Sequence, residues 1–472
     1  MIYIDRKQNK PLYVQIYQQL KKEIVTGIID TGTILAGSRG LAKTLGVSRN
    51  TVDTAYSQLL AEGYVKSKKG IGLIVVAVPK LNSSFMTHKI SKAVSANRRH
   101  REPQPHIIYD LTNVGHSQDL FPKKIWRKFT LDSLDLLEKE QKLSLLQNKQ
   151  GDPFLRQELI KYLAKFRGVE CVADQLIITS GLQQSLSYLC FLLESDKNLV
   201  LMEEPGYIKA RTIFEHHHLD IQSIPIDNEG LLASKLPKNN HTLGVYTTPS
   251  HQFPTGAVMS ISRRIELLNW ASAHNTYIFE DDFDSELRYY SHPIPSLQSI
   301  DRNERVIYLG TFSKGLSPSL RMSYMILPPH LVPVYKEKFV AYNSSVPLLN
   351  QYTVAKLIES GEYERHIRRM NQIFKKRLEV FIEEFKTFSI NVDLSSNVSG
   401  QYFLLHFSKE INQQEMIQLA EKNGVRVYST MQFWHDKAAC PPYSLFLGFS
   451  KILVSEIPDC IHRLKTAWKD YL

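Results

Sequence analysis

Apolar residues recur at helical spacing through PLYVQIYQQLKKEIVTG (11–27) and stop at Gly27, which predicts an amphipathic helix with a basic outer face. Two shorter helical patterns follow, SRGLAKTLG (38–46) and SRNTVDTAYSQLLAEG (48–63), parted by a turn at Gly46 and Val47, with Ser48 in position to cap the second. Beyond Gly63 the run YVKSKKGIGLIVVAV reads as a β-hairpin with Lys68, Lys69 and Gly70 at its tip. Residues 77–106 hold few large apolar side chains and many Ser, Asn, Lys and Arg, the composition of a flexible linker. From 107 onward helical patterns alternate with short β-branched runs, QLIITS, NLVLME, LGVYTTP, TYIFED and RVIYLGT. Such alternation predicts an α/β layer around a largely parallel sheet, with chemistry gathered at the carboxyl ends of its strands. The expected division is a head at 1–76, a linker at 77–106 and a body at 107–472.

Charge sharpens this division. Through residue 106 there are 17 Lys plus Arg against 6 Asp plus Glu, a net of +11 that equals the formal net charge of all 472 residues. A basic head on a balanced body points to a polyanion partner for the head alone. Helix, turn, helix and basic hairpin together describe a winged helix-turn-helix, whose second helix enters the DNA major groove. Arg49, Asn50 and Thr51 begin that helix, where side chains reach base edges. Ser48 and the wing residues Lys68, Lys69 and Gly70 suit phosphates, and Arg39 and Lys43 on the preceding helix face the DNA backbone.

The 43% hydrophobic content supports large cores, and no run approaches the roughly 18 apolar residues of a membrane span, so a soluble cytoplasmic protein is expected. Cys171, Cys190, Cys440 and Cys460 are far apart, with no spacing for a metal site or disulfide framework.

The body's chemistry centres on GTFSKGLSPSLR (310–321). A lysine amine can form a Schiff base with an aldehyde, while Thr311, Ser313 and Arg321 supply donors and charge to a phosphate. Lys314 is thus the candidate attachment point for pyridoxal phosphate. Other polar residues follow strand patterns in series: Ser180 and Gly181, Tyr207, His251 and Asp281. The turn Ser180, Gly181, Leu182, Gln183 opens a helix and offers amides to a phosphate. Asp281 can hold a pyridine nitrogen protonated, which makes the ring an electron sink.

SRGLAKTLGVSRNTVDTAYSQLLAEGYV resembles the GntR class of bacterial repressor domains, with Ala36 and Gly37 standing where that class usually has Pro-Ser. The body resembles the class I aminotransferases of fold type I, and the composite resembles the MocR-type transcriptional regulators. Within them MEEPGY, TTPSHQFPTG, EDDFDSE and LGTFSKGLSPSLRMSYMILPP are similar to the branch that senses γ-aminobutyrate. The resemblance implies a head-to-tail homodimer holding pyridoxal 5'-phosphate, operator DNA as partner and a small amine or amino acid as effector. It also marks departures. Phe283 stands where the family has a tyrosine that donates to the cofactor's ring oxygen, and Phe253 where true aminotransferases have an asparagine. Lys209 and Gln432 stand where that branch has two arginines that clamp a carboxylate, which weakens bidentate recognition. The expected function is a cofactor-dependent transcriptional regulator; the alternative is an active aminotransferase with a DNA-binding appendage.

Overall fold

The computed structural model describes residues 2–6, 9–79, 106–112, 115, 117, 120–238, 241–290, 294–386, 388, 399–407 and 410–471. The chain divides into two compact units, Met1–Glu102 and Pro103–Leu472. Most of the expected linker, including Arg98, Arg99 and Arg101, lies outside the described residues.

In the first unit α1 spans Leu12–Val25, α2 Ser38–Leu45 and α3 Arg49–Ala61, followed by the antiparallel pair β1 (Val65–Lys68) and β2 (Gly72–Val75). The periodic apolar positions become the core: Ile16, Leu20 and Ile24 of α1 meet Val52, Ala55 and Leu59 of α3. Gly46 closes α2 in the left-handed conformation at φ 63°, which glycine adopts without side-chain strain. Ser48 caps α3, its Oγ accepting from the Thr51 amide at 3.2 Å. Gly37 gives α2 no side-chain cap, and the preceding carbonyl of Ala36 is instead held by the Tyr56 hydroxyl at 2.8 Å. A tertiary bond therefore anchors the approach to α2 where the family's Pro-Ser is missing.

The second unit is built on an eight-stranded sheet. Its strands are β4 (Leu176–Thr179), β5 (Leu199–Glu204), β6 (Asp220–Asp227), β7 (Gly230–Leu231), β8 (Thr242–Thr247), β9 (Tyr277–Asp282), β10 (Val306–Thr311) and β11 (Ser323–Ile326), in the order β4-β11-β10-β9-β8-β5-β6-β7. The central strands β10, β9, β8, β5 and β6 run parallel. Every residue of β8 is buried, as expected for a strand covered on both faces. SYMI at 323–326, which the sequence pattern leaves unassigned, forms β11 and runs antiparallel to both β10 and β4.

A second layer packs a three-stranded antiparallel sheet, β12 (Tyr402–His406), β15 (Ser444–Gly448) and β14 (Tyr428–Ser429), against the helix Glu362–Phe385, and a short parallel pair joins β3 (Tyr109–Asp110) to β13 (Val425–Arg426). That helix buries Met370, Phe374, Leu378, Phe381 and Phe385, a stripe at three- and four-residue spacing. No described helix is long and apolar enough to cross a membrane, and no described group of His, Cys, Asp or Glu is arranged to hold a metal ion.

Candidate functional site

Sheet order brings the scattered motifs of the body together. Thr311 at the end of β10 pairs with Ser323 of β11, which pairs with Thr179 of β4, so the turn after β4 and the turn after β10 are neighbours. Gly181 sits in the first of these turns at φ 114° and ψ 162°, a conformation open essentially to glycine alone. A Cβ there would lie 2.3 Å from Arg321 Nη2, so the missing side chain is what lets the guanidinium reach the start of the helix Leu182–Leu192. Arg321 Nη2 donates to Gln183 Oε1 at 3.3 Å. Thr311 Oγ1 accepts from the Ser313 amide at 3.1 Å and from Ser323 Oγ at 2.9 Å. The Ser180 amide is already bonded to Gln184 Oε1 at 2.7 Å, so that donor serves the helix rather than an outside group.

Lys314 lies in the turn after β10, and its Nζ donates to Gln401 Oε1 at 3.4 Å. Its pKa falls to about 8: burial is the main cause, the Lys209 charge adds to the fall, and the Asp284 charge opposes it. Tyr246 donates its hydroxyl to Asp281 Oδ2. Burial pushes the Asp281 carboxyl up to about 7 against that hydrogen bond, with Asp282, Asp284 and Glu203 raising it further. Tyr207 is pushed up to about 12 by burial and feels the charges of both Asp281 and Arg321, so it stands near the two ends of the site.

His251 turns to Asp284, with Nδ1 2.8 Å from Oδ2, and its ring lies 6.0 Å from Phe283 and 5.5 Å from Tyr402. Phe253 is buried in an aromatic cluster with Tyr402, Phe433 and Phe446, at 6.0 Å from Phe283. Beyond that wall opens a cleft of about 790 Å³ that His251, Ser399 and Tyr402 help to line. Lys209 is exposed in the first turn of the helix Ile208–His216, and Gln432 is exposed with its Nε2 donating to the Ser429 carbonyl at 2.9 Å. The turns carrying these two residues are joined by one backbone bond, Gly206 N to Phe433 O at 2.9 Å.

These donors fit a group that carries an aldehyde, a ring nitrogen and a phosphate. A lysine, a buried carboxylate and an arginine packed on a glycine meet in one region of the sheet, and the Gly181 and Arg321 cradle is shaped by the absence of a Cβ. Sequence reasoning missed Gln401, Asp284 and Tyr246. Asp284 was within its reach, three residues beyond Asp281 in the acidic run EDDFDSE. Gln401 is 87 residues from Lys314, and no local pattern links them.

In the first unit Arg39, Lys43, Ser48, Arg49, Asn50, Lys68, Lys69 and Gly70 are exposed, while Thr51 is half-buried beneath its cap. Arg49 Nε is paired with Asp53 Oδ2 at 3.3 Å, a contact the sequence reading did not foresee although the two stand four residues apart on α3. Lys68 is the last paired residue of β1, opposite Gly72, which leaves Lys69, Gly70 and Ile71 as the hairpin tip.

Comparison with known proteins assigns both units. Residues 113–435 match the family model "Aminotransferase class I and II", and residues 12–75 match "Bacterial regulatory proteins, gntR family". The chain is 39% identical to the HTH-type transcriptional regulator YhdI of Bacillus subtilis, over 99% of this chain and 97% of that one. It is 31% identical to the probable rhizopine catabolism regulatory protein MocR of Rhizobium meliloti, over 99% and 96%. Among solved structures, the Pyrococcus horikoshii kynurenine aminotransferase superposes with a TM-score of 0.68 at 27% identity, covering 78% of this chain and 92% of that one.

Proposed function

From the premise that this chain belongs to the MocR-type regulators of the GntR family, with a class I and II aminotransferase body, we propose that it binds operator DNA through its head and holds pyridoxal phosphate on Lys314. The observation that carries this reading is the meeting of Lys314, Asp281, Gly181 and Arg321 in one region of the body's sheet; the exposed basic residues of the head support the DNA-binding part independently. When bound, the cofactor supplies an aldehyde for an amine and a ring that withdraws electrons. Lys314, with its pKa lowered to about 8, presents a neutral amine in roughly a tenth of molecules at pH 7, far more than an ordinary lysine does. Asp281 offers a buried carboxylate, kept in place by Tyr246, as the partner of a ring nitrogen. Arg321 brings positive charge to a phosphate, and Tyr207 offers an aromatic face between the two ends.

The effector is a small amine or amino acid that reaches the Lys314 region past Lys209 and Gln432. Its binding biases the paired heads of a cytoplasmic homodimer toward one DNA geometry. Lys209 is a point charge and Gln432 is neutral, which disfavours a ligand that needs two arginines on one carboxylate. The alternative, a working aminotransferase, draws support from the likeness to solved aminotransferases. Borohydride reduction followed by peptide mapping tests the attachment: a cofactor adduct on Lys314, absent in Lys314→Ala, is expected, and a chain that refuses added pyridoxal phosphate overturns the reading. Sustained amino-group exchange with a keto acid would make the alternative the better account.

A further inference from the structure

Four buried polar atoms in the body have no hydrogen-bond partner among the described residues and lie along one short path: Asp284 Oδ1, Ser399 Oγ, Gln401 Nε2 and Tyr402 Oη. Asp284 is 4% exposed and Gln401 1%. A buried polar group left without a partner is costly, so a cluster of them beside a reactive lysine calls for a reason.

The segment that links these groups is firmly held. Gly400 donates its amide to the Leu287 carbonyl at 2.8 Å, its own carbonyl accepts from the Tyr289 hydroxyl, and Phe449 N donates to the Gln401 carbonyl at 2.9 Å. A Cβ on Gly400 would lie 2.5 Å from Asp284 Oδ2 and 2.6 Å from His251 Cε1, so the bare backbone lies directly against the His251 and Asp284 pair. The next residue, Gln401, reaches Lys314 Nζ. Phe283, one of the two positions without a ring-oxygen donor, lies 6.0 Å from His251, and Phe253, the other, meets Phe283 edge-on at 6.0 Å.

We propose that Asp284, braced by His251 and joined by Gln401, acts as a positioning pair for Lys314 that keeps a proton on its nitrogen. The proposal rests on the reading of Lys314 as the cofactor's attachment point and adds residues that reading does not use. A carboxylate with one oxygen turned to His251 and the other unpartnered sits in a dry setting, where charge on it acts strongly on a nearby cation. Gln401 accepts from the nitrogen without contributing charge. Around Lys314 burial opposes the proton most, and the Lys209 charge, from the helix Ile208–His216, adds to that opposition. Around Asp284 the other groups are His251, Arg288, Asp281, Tyr289 and Tyr402, of which Arg288 is the permanent cation; its Nη2 is bonded to the Ser250 carbonyl. With phenylalanine at 253 and 283, control of the proton at this nitrogen passes from the usual ring-oxygen donors to Asp284.

The test is a pH titration of the full chain loaded with pyridoxal phosphate, following visible absorbance of the lysine-bound chromophore. Asp284→Asn should lower the pH of half-deprotonation by about 1–3 units, the span expected when an opposite charge at close range is removed. Asp284→Glu should restore most of it. A purely structural role would reduce folding or cofactor uptake without moving the midpoint. Normal uptake by Asp284→Asn with an unmoved midpoint overturns this proposal alone, whereas a wild-type chain that takes up no cofactor overturns the attachment reading. Should Asp284→Asn fail to fold, Gln401→Leu carries the test: a fall of about half a unit, as for loss of a hydrogen bond to the charged form, supports the proposal, and no fall refutes it.

Discussion

Gly181→Ala separates the shape of the phosphate cradle from its charge. At φ 114° and ψ 162° an alanine is strained by about 1–3 kcal/mol, a loss of stability that unfolding in denaturant would register. The added Cβ would also lie 2.3 Å from Arg321 Nη2 and 2.8 Å from its Cζ. A guanidinium on a flexible stem can swing aside, so the collision itself costs little; what is lost is its hold on the ligand. A hydrogen bond to a charged group contributes about 1.5–3 kcal/mol. At 1.4 kcal/mol per tenfold, pyridoxal phosphate should bind about 10- to 150-fold more weakly, measured by equilibrium absorbance titration. Gly63→Ala is the control: its φ of 79° imposes strain, but nothing lies within 4 Å of the new Cβ, so stability should fall and cofactor affinity should hold. Arg321→Ala added to Gly181→Ala should cost little more, because the two act through one contact. Wild-type affinity in Gly181→Ala would refute Arg321 as a phosphate contact.

Arg49→Ala should weaken specific operator binding by about 1–3 kcal/mol, while Lys69→Ala should chiefly reduce the salt slope, by about one; unchanged footprints for both would move the reading surface elsewhere. Phe283→Tyr should lower the pH at which the lysine-bound chromophore loses its proton, because a phenol donor stabilises the cofactor's phenolate, and an unmoved titration would show that position 283 does not face the ring oxygen. γ-Aminobutyrate should perturb the visible spectrum weakly, and Lys209→Arg with Gln432→Arg should strengthen the response; a tight response from the unmodified chain would show that the pocket recognises that ligand by other means.

Local signals carried far in this chain because its regular elements obey them. The spacing of Ile16, Leu20 and Ile24, the glycine at 46 and the cap at Ser48 were each sufficient to locate α1, α2 and α3 to within about two residues. The β-branched runs became strands because both faces of a central parallel strand are covered, so unbroken hydrophobicity marks them. What escaped depends on distance. SYMI is too short to declare itself, and it becomes β11 only because β4 and β10 lie on either side to receive it. His251 follows a strand pattern in the sequence as a candidate cofactor contact, and in the fold its Nδ1 meets Asp284, a pairing that exists only once the loop after β8 meets the end of β9. Gln401 belongs to the second layer and meets Lys314 only when that layer folds onto the sheet. The pairing of Arg49 with Asp53 was open to inspection as an i, i+4 pair on α3; an Arg49 that reads a base would have to leave this exposed partner.

If a cofactor-holding body governs a DNA-binding head, the way the full chain occupies DNA must depend on Lys314. A footprint of the full chain on the DNA flanking its own gene, taken with pyridoxal phosphate bound and again with Lys314→Ala, tests it most directly. Two protected half-sites are expected, with occupancy or spacing that changes between the two proteins. Identical footprints, or no protection at all, would contradict it.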